Sequence, residues 1–117
     1  MENHDPDDPV AMYIIEVGSA KPLVKDEETK LFRELAGSGD WDDAEENVAR
    51  ILIEGHLAQV LSIAQKHSAS GVPMLDLIQE GNIGLINAVR SFAERPIGDF
   101  TDYAATCIDD AIKKAFG

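Results

Sequence analysis

The sequence predicts an all-α fold, a compact bundle of about five helices, and three observations carry that prediction. Apolar residues recur at helical spacing along most of the chain, and the short apolar runs that resemble strands all sit inside those helical patterns. Hydrophobic residues make up 44% of the chain but aromatics only 6%, so Leu, Ile, Val and Ala carry the packing. Gly- and Pro-containing stretches punctuate the periodic segments, as breakers do between helices. The 117 residues suit one domain, 1–117, with a hydrophobic core that needs no staples. Residues 1–8 are expected to be flexible.

The first helix opens at Asp8-Pro9, where Asp caps and Pro suits the first helical position. Val10, Tyr13, Ile14 and Val17 form one stripe, Gly18 ends the helix and Lys21-Pro22 marks a connector. A second helix begins near Asp26-Glu27-Glu28, acids placed where the helix dipole favours them. Leu31, Phe32 and Leu35 face inward, and Gly37-Ser38-Gly39 stops it. The third helix is the longest, roughly Trp41 to His67, with one stripe of Val48, Ile51, Leu52 and Leu61 and another of Ile53, Leu57, Val60 and Ala64. Apolar groups on so much of its circumference predict a central helix packed by several others. Trp41 reads as a lid on the core or a staple where the helix starts. Gly71-Val72-Pro73 breaks the chain before a fourth helix, about Met74 to Phe92. A fifth runs from near Asp99 towards Phe116, with a stripe of Phe100, Tyr103, Ala104, Cys107, Ile108, Ala111, Ile112 and Ala115.

Composition excludes several functions. Lys and Arg total 10 against 22 Asp and Glu, a net charge of −12. Duplex DNA should repel so acidic a domain, because binding depends on cations that neutralise phosphates. The acid either serves solubility alone or keeps nucleic acid away. No run of about 18 apolar residues is present, so no membrane span is expected. The acidic start lacks the basic and apolar parts of a signal peptide. A single Cys107 forms no internal disulfide, and a reducing, cytoplasmic location follows. His4, His56 and His67 are too scattered for a local metal motif, and no Ser, His and Asp arrangement or glycine loop stands out. The carboxylates from Asp40 to Glu46 read as a solvated helix start. Neither enzyme activity, a metal nor a cofactor is expected.

The fourth helix carries the functional signal. On a wheel at about 100° per residue, Leu75, Ile78, Leu85, Val89 and Phe92 form a core arc with Asn82 at its edge. Leu77, Gly81, Gly84 and Ala88 fall beside it. Each interior Gly costs about 1 kcal/mol relative to Ala, and close approach of another helix is the usual compensation. The remaining arc holds Asp76, Gln79, Glu80, Ile83, Ile86, Asn87 and Arg90. Ile83 in its middle is either a stray apolar residue on a solvated face or the centre of a partner-binding surface.

The run Leu75-Asp76-Leu77-Ile78-Gln79-Glu80-Gly81-Asn82-Ile83-Gly84-Leu85, followed by Ala88-Val89 and Phe92, resembles the core-binding motif of housekeeping-type bacterial sigma factors. Leu52-Ile53-Glu54, Leu57, Val60, Ser62-Ile63-Ala64, Lys66 and Gly71-Val72-Pro73 resemble the helix and loop before that motif. Asp8-Pro9-Val10, Met12-Tyr13 and Glu16-Val17-Gly18 are similar to the first helix of that module. Phe100-Thr101-Asp102-Tyr103-Ala104 is similar to the start of the family's promoter-reading helix. The resemblance spans about residues 8–112. It implies a core-binding domain that docks on the coiled coil of the β′ subunit of RNA polymerase. The contacts it implies are Asp76, Gln79, Glu80 and Asn82, with Ile86 at a position where the family carries Met; the wheel adds Ile83.

The family's DNA-contacting features are largely replaced. Ala11 and Ile15 stand where the family carries Arg, Thr106 and Cys107 where it carries a Trp pair, and Asp109-Asp110 where it carries Arg-Gln. Stacking of an unpaired base on an aromatic is worth about 1–3 kcal/mol, so promoter melting and reading are expected to be weakened or lost. Lys113 and Lys114 read as a charge preference of a helix C-terminus. Two roles remain open: the N-terminal part of a diverged sigma factor, or an adaptor that occupies the sigma site without opening DNA. A rival reading is an interaction module on a sigma scaffold that binds another regulator, such as an anti-sigma factor.

Overall fold

The computed structural model describes residues 23–35 and 41–116, and within them five α-helices follow one another. They are α1 (Lys25–Glu34), α2 (Asp43–Glu54), α3 (Leu57–Lys66), α4 (Met74–Glu94) and α5 (Phe100–Phe116), with a 3-10 turn at Ser68–Ser70. No strand occurs among the described residues, and the predicted all-α class holds. The predicted first helix, residues 8–17, lies outside the described residues.

The predicted third helix is two helices. The ladder is interrupted at Gly55 and His56: His56 leaves the helical region (φ −118°, ψ 9°), and its N–H bonds back to the carbonyl of Ile53 at 3.0 Å. The break falls at Gly55, a poor helix former, and beside a tertiary contact. The imidazole of His56 turns inward to Glu28 of α1 and is buried there. Apolar spacing continues across the break, so periodicity alone conceals it. The phase nevertheless changes: Ala49 and Leu52 are buried from α2, then Val60, Ile63 and Ala64 from α3, while Ile51 is exposed.

The acids at the start of α2 have a local task. Asp42 accepts from the backbone N–H of Glu45 at 2.8 Å, and the Glu45 carboxylate accepts from the N–H of Asp42 at 3.1 Å. This reciprocal cap satisfies two otherwise unpaired donors. Trp41 is half-buried against the core and carries the Arg90 guanidinium 4.9 Å above its ring. The position it would need as a staple is Glu46, so Trp41 is a lid.

The interface of α4 with α5 is the most extensive in the structure. Leu77, Gly81, Gly84 and Ala88, predicted beside the core arc, lie at its centre, whereas Leu75 is only half-buried. The small residues explain the shift, because they let neighbours come closest on their side of the helix. A Cβ at Gly84 would stand 2.6 Å from the carbonyl oxygen of Cys107, and one at Gly81 would stand 2.8 Å from Val60 Cγ1. Three rings then tie α1, α4 and α5 together: Phe32 lies 4.9 Å from Phe92 and 4.8 Å from Phe100, and Phe92 lies 5.2 Å from Phe100. Edge-to-face and tilted pairs of this kind add about 0.5–1.5 kcal/mol each beyond their buried area.

Before α5 the chain turns at Gly98, whose φ of 83° suits glycine. Asp99 then caps the helix by accepting from the N–H of Asp102 at 3.1 Å. The buried row of α5 is narrower than predicted: Phe100, Ala104, Ile108 and Ile112 are buried and Cys107 is half-buried, but Tyr103 and Ala115 are exposed. No helix among the described residues is long and apolar enough to cross a membrane.

Candidate functional site

Helix α4 is anchored along one side by fully buried Leu77, Leu85, Ala88 and Val89, which leaves its opposite side as a rigid platform. Asp76, Gln79, Ile83 and Ile86 are exposed on that side, and Glu80 is half-buried beside them. From Asp76 to Ile86 the platform is about 15 Å long at 1.5 Å per residue. Ile83 keeps 50% of its surface in solvent and Ile86 keeps 36%. Among the described residues, no side chain pairs with Asp76, Gln79 or Glu80. Asn82 is half-buried at the edge of the core and already engaged within the chain. Arg90, part of the same predicted arc, is taken up by the Trp41 ring.

Two carboxylates and an amide flanking an apolar pair suit a partner with hydrogen-bond donors or cations around an apolar centre. Covering Ile83 and Ile86 would contribute about 1 kcal/mol each, since a full burial is worth about 1.5–3 kcal/mol and both are partly covered already. The wheel placed five of the six predicted contacts on this face and Asn82 at its margin, as observed.

The other region that the sequence singled out lies between α3 and α5. Ile63, Lys66, Ala105, Thr106, Asp109 and Asp110 line an open depression there. Thr106 is exposed, whereas Cys107 is half-buried with its backbone against Gly84. The Asp109 carboxylate accepts from Lys113 Nζ at 2.8 Å and lies 2.7 Å from His67 Nε2. These hydrogen bonds, Lys113 first, hold the Asp109 carboxyl below its usual range, and Asp109 in turn raises the Lys113 ammonium. Lys113 therefore answers a neighbouring carboxylate, and Asp109 is locally compensated, while Asp110 remains exposed. The Asp109–Lys113 pair is legible as an i, i+4 spacing. The tie to His67, 42 positions away, is not. No group of three or more metal-ligating side chains occurs among the described residues.

Residues 52–116, which comprise α3, α4, α5 and the last turn of α2, match the family model of Sigma-70 region 2. The chain belongs to the sigma-70 region 2 family. Among curated relatives it is 41% identical over 109 residues to RNA polymerase sigma factor SigA of Lactococcus lactis subsp. cremoris, covering 93% of this chain and 29% of that protein. RNA polymerase sigma factor SigA of a Bacillus species is 41% identical over 108 residues, covering 92% of this chain and 27% of the relative. The Clostridium acetobutylicum protein of the same name is 39% identical over 109 residues, covering 93% and 27%. The chain thus spans less than a third of the length of the curated relatives it matches. Within this sigma-70 family unit the α4 platform lies wholly inside the matched segment, and so do Thr106, Cys107, Asp109 and Asp110.

Proposed function

We propose that this chain is a sigma-type module that binds core RNA polymerase and acts in bacterial transcription initiation or its regulation. Its docking surface is the outer side of α4, with Asp76, Gln79, Glu80, Ile83 and Ile86 in contact and Asn82 at the margin. The coiled coil of the β′ subunit is the partner surface. The observation that carries the reading is Ile83, half in solvent on the outer side of α4 and flanked there by Asp76, Gln79 and Glu80. The relatives' name as RNA polymerase sigma factors supports the same partner.

Promoter melting is weak or lost in this reading. A hydroxyl at Thr106 and a half-buried thiol at Cys107 offer no ring on which a base can stack. Asp110 adds an exposed negative charge, and the net charge of −12 opposes approach to DNA. An adaptor that occupies the sigma site fits these features better than a sigma factor that opens DNA unaided.

The test is the affinity of the chain for a β′ coiled-coil fragment, beside a Gln79→Ala, Glu80→Lys double variant. Binding by the parent with at least tenfold weakening in the variant, about 1.4 kcal/mol, is expected. No binding by either overturns the polymerase reading and moves the search to a regulator such as an anti-sigma factor.

A further inference from the structure

Arg90 stands on the platform side of α4, beyond the residues assigned to the polymerase contact. At about 100° per residue it falls between Gln79 and Ile83 on the helix circumference, and about 10 Å beyond Ile83 along the axis. It is exposed, as Gln79 and Ile83 are. The outer side of α4 therefore changes character along its length: Asp76 and Glu80 stand towards its start, Ile83 and Ile86 in its middle, and a guanidinium follows.

Trp41 fixes where that guanidinium lies. The Arg90 Cζ sits over the Trp41 ring, 4.9 Å from its centroid. The ring is half-buried against the core, and the next residue, Asp42, is held by its reciprocal cap with Glu45. A carboxylate of the same helix competes for Arg90, because Glu94 is exposed four residues on, at the spacing of a helical ion pair. The guanidinium lies over the ring instead. A cation–π contact uses the charge of the guanidinium and the face of the ring, and leaves the N–H donors to other acceptors. An arginine already placed also loses less rotamer freedom when a partner binds it.

We propose, resting on the polymerase reading above, that Arg90 is a specificity-determining residue of the docking surface, held on Trp41 to receive a carboxylate of the β′ coiled coil. A guanidinium meets a carboxylate through parallel hydrogen bonds, so the contact adds geometry as well as charge. The partner strip that fits this surface is basic beside Asp76 and Glu80, apolar against Ile83 and Ile86, and acidic beside Arg90. A partner lying in the reverse direction would set like charges against each other, so the surface selects direction as well as composition. Trp41 acts through Arg90, as a positioning residue.

The experiment is a double-mutant cycle between the 117-residue chain and a β′ coiled-coil fragment. Each acidic residue of the fragment is neutralised in turn, Asp to Asn or Glu to Gln, and affinity is measured with the parent chain and with Arg90→Gln. One acidic residue should couple to Arg90 by at least about fivefold. Arg90→Glu should bind the unaltered fragment at least about tenfold more weakly than the parent does. Trp41→Leu keeps an apolar lid but removes the ring, and it should shrink the coupling. A role confined to holding Trp41 on α4 would change urea unfolding and leave no coupling to any residue of the fragment. Absence of coupling, parent-like binding by Arg90→Glu, or full coupling in Trp41→Leu overturns the assignment and leaves the polymerase reading intact. A parent that does not bind the fragment overturns that reading and the role of Arg90 with it. If an altered chain folds poorly, the parent still decides: no loss of affinity with any neutralised acid overturns the proposal.

Discussion

Gly84 and Cys107 bring α4 and α5 into backbone contact: a Cβ on Gly84 would lie 2.6 Å from the Cys107 carbonyl oxygen and 3.0 Å from the Ile108 Cα. Those atoms belong to a helix backbone and cannot step aside alone. Gly84→Ala gains about 1 kcal/mol of helix propensity but forces the two helices apart, an overpacking cost of about 1–3 kcal/mol. A net loss of stability is expected in urea unfolding. Gly81→Ala should be milder, since its nearest obstacle is the side chain of Val60 at 2.8 Å. Equal effects at the two sites would contradict the backbone argument.

Ile83 supplies a contrast between stability and binding. Half of it is already in solvent and it lies outside the buried core, so Ile83→Ser should lower the unfolding free energy by no more than about 1 kcal/mol. Affinity for the β′ fragment should fall severalfold, because the apolar centre of the platform is gone. A variant that binds as tightly as the parent would remove Ile83 from the interface.

Asp109 links α5 to the end of α3, and its acidity gives that link a pH signature. The Lys113 and His67 hydrogen bonds lower its carboxyl below the usual value. A lowered carboxyl contributes stability above the usual carboxylate range and loses it as pH falls through the lowered value. The stability difference between the parent and Asp109→Asn should shrink in acid. With 35% of the side chain exposed, its size should be within about 1 kcal/mol. A difference that grows in acid would refute the assignment.

Thr106 tests the loss of DNA reading. It is exposed on the rim of the depression beside Ile63 and Lys66, so Thr106→Trp adds a ring without disturbing the core. One stacked base is worth about 1–3 kcal/mol, and single-strand retention at low salt should rise measurably above the parent. No gain would mean that charge, rather than the missing ring, keeps DNA away.

Local chemistry made much of this protein legible. The starts of α4 and α5 follow Pro73 and Asp99, which act within one or two turns of where they stand. The outward platform of α4 followed from helical period alone, because a rigid helix converts spacing directly into facing. The motif of residues 75–85 pointed to the family for the same reason: a contiguous run needs no folding to be read.

Tertiary structure decided the rest. The break at Gly55–His56 brings the buried His56 ring to Glu28, 28 positions away, and no local pattern announces a partner at that distance. Ile78, Leu85, Val89 and Phe92 of the predicted α4 arc are buried, but Leu75 is only half-buried and the core extends instead to the Gly81 and Gly84 row, because burial depends on what packs against a face, not on the hydrophobicity of the face itself. Asp109, one of two acids that stand where the family carries Arg-Gln, is tied to His67 at the end of α3. Periodicity assigns each residue a direction, whereas only the packed neighbour determines whether that direction ends in core, in a hydrogen bond or in solvent.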